Sequence, residues 1–586
     1  PVSHPQTFAR RDRAFALLIV LLGSAVFANH LENPLQFDSV AHVLDNPRLQ
    51  HPGEILSLGF WAREFMDRSL MQISLSANVA WGGFDPAGFH LFNLCFHLLN
   101  AFLAYRVLRG IGRRLGREGE VPPGACRLAA LIFLLHPIQT ESVVYVMGRS
   151  EVLSATFYLA GFLLFQSALE GRGRGPAWIR AGIFPLGILA CLALGFSVKP
   201  TVATLPFLLV LYYLMGLGPG SPALEFLRRW RWVLGGGVLA AAAALTVQLV
   251  MDETFLTFYS GAQKEVARSL YLTTQPGVVM LYYANKLVLP FNLTVDPGFG
   301  WVTSPASPVF LAGTALAGLW FFLAVRSADR RLNLFCFAWY FVVLSPSSSI
   351  VPLHDAAAEH RVYLAGLGLL FPCARLLHSA APRPVPKTAL AVFVLVLLSL
   401  LTVQRNRVWH SEVSLWQDAY RKSPGKVRPL VNLARGLTVA GREGEAAALY
   451  EASLRLNPNL FASNYNLAEL YLRRGDADRA LMFFSRAANI DPQVPEAHGK
   501  LGEIYLSRRE WDQADTHLKR AVELNPRYAV AMRNLGVLHY FYRNDRRAGL
   551  TYFARTLELD PAQPGAEKIR QLLAWGETPP ANPPPP

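Results

Sequence analysis

The chain has 586 residues, 52% of them hydrophobic, a positive mean hydropathy and a net charge of +15. So apolar a chain of this length is a polytopic membrane protein rather than a soluble or disordered one. The basic residues of the first 400 positions fall in short clusters between apolar runs, with no nucleic-acid-binding motif among them, so no nucleic-acid partner is expected. Cys95, Cys126, Cys191, Cys336 and Cys373 lie in or beside apolar runs without C-x-x-C spacing, which argues against a disulfide framework or a zinc site.

Windows of about twenty apolar residues predict spans near 14–30, 88–108, 127–140, 151–168, 180–196, 200–217, 232–250, 308–325, 332–350, 361–377 and 387–404, eleven in all. Arg10 to Ala28 has the look of a signal peptide, but Asn29-His30 is a poor cleavage context and further spans follow, so an uncleaved span is read. Val278 to Pro290 is short, carries Lys286 and ends in proline; it is read as a re-entrant or interfacial helix. With eleven spans, the segments assigned to the inside carry 21 Lys and Arg and those outside, up to Gln404, carry 9. The bias puts the first loop, residues 31–87, and the C-terminal half outside the cytoplasm.

After Gln404 apolar runs stop. Pro424, Pro458, Pro492 and Pro526 recur every 34 residues and Pro561 follows after 35. Ala434, Ala468, Gly502 and Gly536 keep step where one helix approaches another, as do Ala446, Ala480, Ala514 and Ala548 in the second helix. This resembles the tetratricopeptide pattern, two helices per repeat, and four copies exceed the minimum of about three that bury a continuous core. The predicted organisation is all-α: a membrane domain over 1–406, a linker helix over 407–426, four repeats and a capping helix over 427–576, and a proline-rich tail over 577–586.

Polar residues at apolar depth are rare and usually functional. At the outer ends of the spans stand Asp38, His42, Asp45, Asp67 and Arg68 in the first loop, then His90, Asn93, His97 and Asn100 at spacings of three to four on the second span. His136-Pro137 with Glu141, Arg149 with Glu151, Lys199-Pro200, His354-Asp355 and Glu359-His360-Arg361 follow. Each has a plainer reading. Asp38 could cap a helix, His136-Pro137 could end a span, the stripe from His90 to Asn100 could hold helices together, and Arg149 and Arg68 could be interfacial side chains. His354 and Asp355 read as loop residues, and no metal site is expected.

Several segments together resemble the transmembrane and tetratricopeptide-containing O-mannosyltransferases and their bacterial relatives, within the GT-C class of glycosyltransferases. They are Phe37-Asp38 with Asp45-Asn46-Pro47, Gly83-Phe-Asp85-Pro-Ala-Gly88-Phe-His90-Leu-Phe-Asn93, His136-Pro137 with Glu141, Gly148-Arg149-Ser150, Lys199 before Thr201-x-Ala203-Thr204-Leu205-Pro206, and Glu359-His360-Arg361-x-Tyr363-Leu364. The resemblance covers residues 10 to 575 and departs in two places. Many relatives carry two adjacent acids where this chain has Asp38-Ser39, and an acid commonly follows the lysine where it has Pro200.

The resemblance implies that Asp38 is the general base, that the donor is a sugar, mannose or another monosaccharide, on a polyprenyl phosphate, and that the anomeric centre inverts. Leaving phosphate needs cations; Arg361, Lys199, Arg149 and Arg68 are the candidates, arginine because its fork gives two parallel bonds. Glu141, Glu359, His360, His42 and His90 are further site candidates, with no metal ligands and no cofactor beyond the lipid-linked sugar. The repeats would bind an acceptor protein or peptide through a concave face. The expected setting is a bacterial cytoplasmic membrane, with the first loop and repeats outside the cytoplasm. A non-catalytic membrane-anchored scaffold for envelope assembly is the alternative, and transport would predict broken helices at matching places in two halves, which the chain lacks.

Overall fold

The computed structural model describes residues 5–50, 59, 69–117, 121–170, 177–217, 266–349, 351–379 and 387–576, and every regular element among them is helical. The chain divides into two compact units, Pro1–Ser423 and Pro424–Pro586.

The first unit contains α1 (Pro5–Phe27), α2 (Ser69–Gly82), α3 (Pro86–Leu115), α4 (Pro123–Leu135), α5 (Thr140–Val144), α6 (Arg149–Leu169), α7 (Ala177–Phe196) and α8 (Leu205–Met215). After the predicted span 232–250, which lies outside the described residues, come α9 (Arg268–Gly277), α10 (Pro308–Arg326), α11 (Arg330–Leu344), α12 (Leu367–Ser379), α13 (Lys387–Val408) and α14 (Glu412–Lys422). Five segments are long and apolar enough to cross a membrane: Arg11–His30, Pro86–Leu115, Val146–Leu169, Pro308–Arg326 and Thr388–Val408.

Proline sets many helix ends. Asp85 accepts from the Ala87 amide at 3.1 Å with Pro86 opening α3, and Ser307 accepts from Val309 at 3.3 Å with Pro308 opening α10. The span predicted to reach 140 stops at Leu135, because the residue before Pro137 is pushed out of helical geometry and His136 takes ψ 126°. Pro200 likewise starts the next span as a tight turn, Pro200–Thr204, before α8. The span predicted from 361 begins at Leu367. Glu359–Val362 winds as a short 3-10 turn, and Gly368 lies so close to α11 that a Cβ there would stand 2.5 Å from the Cys336 carbonyl oxygen.

Hydrogen bonds define two ends of this unit. At one, Asn406 donates to the Val26 carbonyl at 3.1 Å, Gln36 to Trp409 at 2.5 Å, and Thr402 to Leu135 at 2.7 Å, so α1, α4 and α13 all finish beside the first loop. At the other, Tyr105 donates to Asp12 at 2.8 Å, Arg113 pairs with Glu170 at 3.4 Å, and Asp329 takes both the Arg117 amide at 2.7 Å and the Arg375 guanidinium. α9 continues through a wider π-helical stretch, Val278–Ala284, into Asn285–Val288. Tyr271 donates to Ser347 at 2.6 Å, Gln275 to Ala356 at 3.2 Å and Tyr282 to Glu359 at 2.7 Å, while Tyr283 accepts from the Ala358 amide at 2.9 Å. Along its length the segment bonds to the loop that follows α11, and Tyr340 of α11 donates to the Val279 carbonyl at 2.7 Å. α14, predicted as a linker, belongs to this unit: Trp416 is fully buried and meets Phe37 edge-on at 5.2 Å.

The second unit pairs α15 (Val427–Val439) with α16 (Glu443–Leu456), α17 (Phe461–Arg473) with α18 (Ala477–Ile490), α19 (Pro495–Ser507) with α20 (Trp511–Leu524) and α21 (Ala529–Val537) with α22 (Arg546–Leu559), closed by α23 (Ala566–Trp575). A Cβ on Gly502 would stand 2.5 Å from Leu518, and one on Gly536 2.6 Å from Phe553, which is why these positions are small. Left-handed turn residues recur at Gly441, Gly475, Arg509 and Asn544. The last interval is one residue longer. A π-helical stretch at Leu538–Tyr542 absorbs the extra residue, which accounts for the 35-residue step to Pro561.

Candidate active site

The polar stripe on α3 is the frame. His90 bonds the Asn33 carbonyl at 2.9 Å and Asn93 donates to Val143 and Tyr145, both at 3.2 Å. His97 bonds the Tyr363 hydroxyl at 2.7 Å and the Leu134 carbonyl at 3.0 Å, and Asn100 donates to Val152 at 2.8 Å. All four side chains are buried. One face of α3 thus fixes the loop between α4 and α6 and the strap after α11, interhelical bonding in a region with no competing water.

Those segments deliver a charged cluster. Glu141, buried, accepts from His360 Nδ1 at 2.6 Å; His360 Nε2 lies 4.0 Å from Glu151, and Glu151 pairs with Lys199. Beside them Glu359 is fully buried and accepts from the Thr294 amide at 2.8 Å as well as from Tyr282. Burial pushes its carboxyl up to about 7, partly offset by the Arg405 charge. Three carboxylates, an imidazole and an ammonium, brought by the loop after α4, the first turn of α6, the loop before α8 and the strap after α11, meet at one end of the helices.

Asp38 stands at the same end, exposed, just after Phe37, whose φ of 57° lies in the left-handed region that bulky residues avoid. Phe37 is held there by the rings of Tyr145 at 5.6 Å and Trp416, and Tyr145 stacks on Trp409 at 5.6 Å. The buried Tyr145 hydroxyl has its pKa raised by burial first and then by the Asp38 charge, with Glu141 adding to it. Tyr145 packs on Phe37, next to Asp38, and its buried hydroxyl has no hydrogen-bond partner in the protein. Ser39 is buried, its hydroxyl without a protein partner, so the place of the second acid is a closed and neutral one here.

The remaining predicted residues are placed differently. Arg149 is fully buried and donates to Asn93 at 3.2 Å, Ser74 at 3.3 Å and the Phe89 carbonyl at 3.3 Å, tying α2, α3 and α6 together. Arg361 donates to the Asp355 carbonyl at 3.0 Å and to Tyr271 at 3.4 Å, bracing the strap. His136 bonds the Leu287 carbonyl at 3.1 Å and caps its own turn. His42 is exposed on the first loop; Arg68 and Asp67 lie outside the described residues. Tyr145, against Phe37, and Tyr282, bonded to Glu359, have partners remote in sequence that no local pattern marks. Among the described residues no group of three or more His, Cys, Asp or Glu is placed to hold a metal ion.

The tetratricopeptide repeat family model matches residues 437–504 and 472–535. Protein O-mannosyl-transferase TMTC4 of Mus musculus is 25% identical, covering 74% of this chain and 65% of its own length. The chain resembles the tetratricopeptide-containing O-mannosyltransferases. Protein O-mannosyl-transferase F38B6.6 of Caenorhabditis elegans is 23% identical over 76% of this chain and 63% of its own, and Tmtc3 of Drosophila melanogaster 24% over 73% and 54%. The chain thus spans between about half and two thirds of the length of these relatives. Its apolar helices and its relatives make it a multi-pass membrane protein with tetratricopeptide repeats.

Proposed function

We propose that the chain is an integral-membrane glycosyltransferase of the GT-C class, moving a monosaccharide from a polyprenyl-phosphate donor to a protein hydroxyl. The relatives are called protein O-mannosyl-transferases, which favours mannose. The observation that carries the reading is the convergence of loop segments on one end of the helices, with Asp38 exposed beside Tyr145 and the Glu141–His360–Glu151–Lys199 chain behind it.

In this reading Asp38 takes the proton of the acceptor hydroxyl as its oxygen attacks the anomeric carbon. The carbon–oxygen bond to the donor phosphate breaks in the same displacement, the electron pair leaves on phosphate oxygen, and the configuration inverts. Lys199, paired with Glu151 within the cluster, is the cation proposed to meet that charge, while the fully buried Arg149 ties α2, α3 and α6 together and Arg361 braces the strap. The end carrying Asp38 would face away from the cytoplasm, in a bacterial inner membrane. α13 finishes beside the first loop, so the chain leaves the first unit on the Asp38 side, which supports a repeat unit in the acceptor's compartment. A catalytically silent scaffold is the second reading, favoured by the neutral Ser39.

The test is transfer in membranes supplied with polyprenyl-phosphate-linked labelled mannose. The proposal predicts label in protein that is lost when the gene is deleted; identical protein labelling in both membranes would refute it.

A further inference from the structure

The loop before α10 and the end of α14 enclose a cleft of about 470 Å³ in the first unit. It lies one side chain from the charged cluster, because Tyr282 and Thr294 line it and both donate to Glu359. Its charge is one-sided: Lys286, Arg421 and Lys422 line it and no carboxylate does. The acids next to the lining, Glu359 and Asp296, are buried. Lys422 is already held, by Asp418 at 2.7 Å and the Leu293 carbonyl at 2.6 Å. Arg421 is not. It is exposed on the last turn of α14, and neither it nor the exposed Asn292 has a hydrogen-bond or ion-pair partner among the described residues. Lys286 lies 5.6 Å over the Tyr282 ring and gives one of its hydrogens to the Phe291 carbonyl, which leaves it donors to spare.

The same helix reaches the proposed base. Trp416, midway along α14, packs on Phe37 beside Asp38. From Trp416 to Lys422 the helix rises about 9 Å, which an extended peptide covers in about three residues. A lone exposed guanidinium binds a small anion weakly, but here an amide that both donates and accepts, as a peptide backbone requires, stands in the same wall. We propose that this cleft selects the acceptor by taking an acidic side chain of the acceptor polypeptide, its carboxylate against Arg421 and Lys286 and its backbone on Asn292. The acid lies about three residues from the hydroxyl offered to Asp38. The inference rests on the reading of the chain as a transferase to protein.

The test reads binding apart from transfer. The purified full chain is titrated into fluorescein-labelled Ala-Thr-Ala-Ala-Asp-Asp-Ala and its Asn-Asn counterpart, and anisotropy is followed. The acidic peptide is expected to bind about tenfold more tightly, the scale of two exposed ion pairs. Arg421→Gln, which breaks no bond within the protein, and Lys286→Gln should each weaken it by about threefold at an unchanged unfolding temperature. Equal affinity for the two peptides, folded variants that bind like the wild type, or displacement by inorganic phosphate as readily as by unlabelled acidic peptide would overturn the cleft. Polyprenyl-phosphate-linked mannose then reads transfer. Faster labelling of the acidic peptide supports the acceptor role and equal labelling of both overturns it. Acid-dependent binding with neither peptide labelled refutes the transferase reading while the cleft's preference for acidic peptides stands.

Discussion

His360 Nδ1 stands 2.6 Å from the Glu141 carboxylate, and this bond closes the strap after α11 onto the loop after α4. Glu141 is buried and its other oxygen has no protein partner, so the imidazole is what makes the carboxylate tolerable there. Removing one side of such a pair costs more than removing both. His360→Ala should destabilise the protein by about 2 kcal/mol, and Glu141→Gln/His360→Ala by less than His360→Ala alone. Thermal unfolding in detergent reads the double-mutant cycle; strictly additive costs would contradict the coupling.

Glu359 supplies a pH dependence. Its folded pKa of about 7 lies above the ordinary 4.5, so the folded state holds the proton more tightly. The associated stability is present below about pH 4.5 and is lost as pH rises through 7. Unfolding midpoints of the wild type should therefore fall between pH 5 and 8 more steeply than those of Glu359→Gln, by up to about 3 kcal/mol. Parallel pH profiles would contradict it.

Tyr363 joins α3 to the strap through His97 at 2.7 Å and Asn100 at 3.2 Å. Tyr363→Phe keeps the ring and strands both partners, at a cost of about 1 kcal/mol, the scale of interhelical bonds in membrane proteins. Unfolding temperature measures it, and a transferase assay should fall with it if the strap positions His360.

The frame was largely legible in the sequence, and much of the site was not. A 34-residue period and a stripe at spacings of three to four are local patterns, and each follows from helix geometry alone. Asp38 could be singled out, but not Tyr145 as its neighbour, because pairing depends on how the loop after α4 folds back over α3. Arg149 and Arg361 read as candidates for the donor phosphate, since a sequence does not reveal that Ser74, Phe89 or Asp355 will meet them.

In the repeats two glycines should behave in opposite ways. A Cβ on Gly549 would lie 2.7 Å from the Tyr540 backbone nitrogen, whereas Gly444 has nothing within 4 Å. Gly549→Ala should destabilise the repeat unit by about 1–3 kcal/mol through overpacking. Gly444→Ala, in α16, should stabilise it by about 0.5–1 kcal/mol through helix propensity. Circular dichroism melts of the full chain decide between them; the same sign for both would show that the close approach is not real.

The central claim is that Asp38 removes the acceptor's proton. Asp38→Asn keeps the size of an exposed side chain and leaves the Glu141–His360 bond untouched. Labelled mannose incorporation into protein by membranes holding equal amounts of folded wild type and Asp38→Asn should differ by a factor of at least about 100, the scale of general-base catalysis. Incorporation at the wild-type rate would contradict the account.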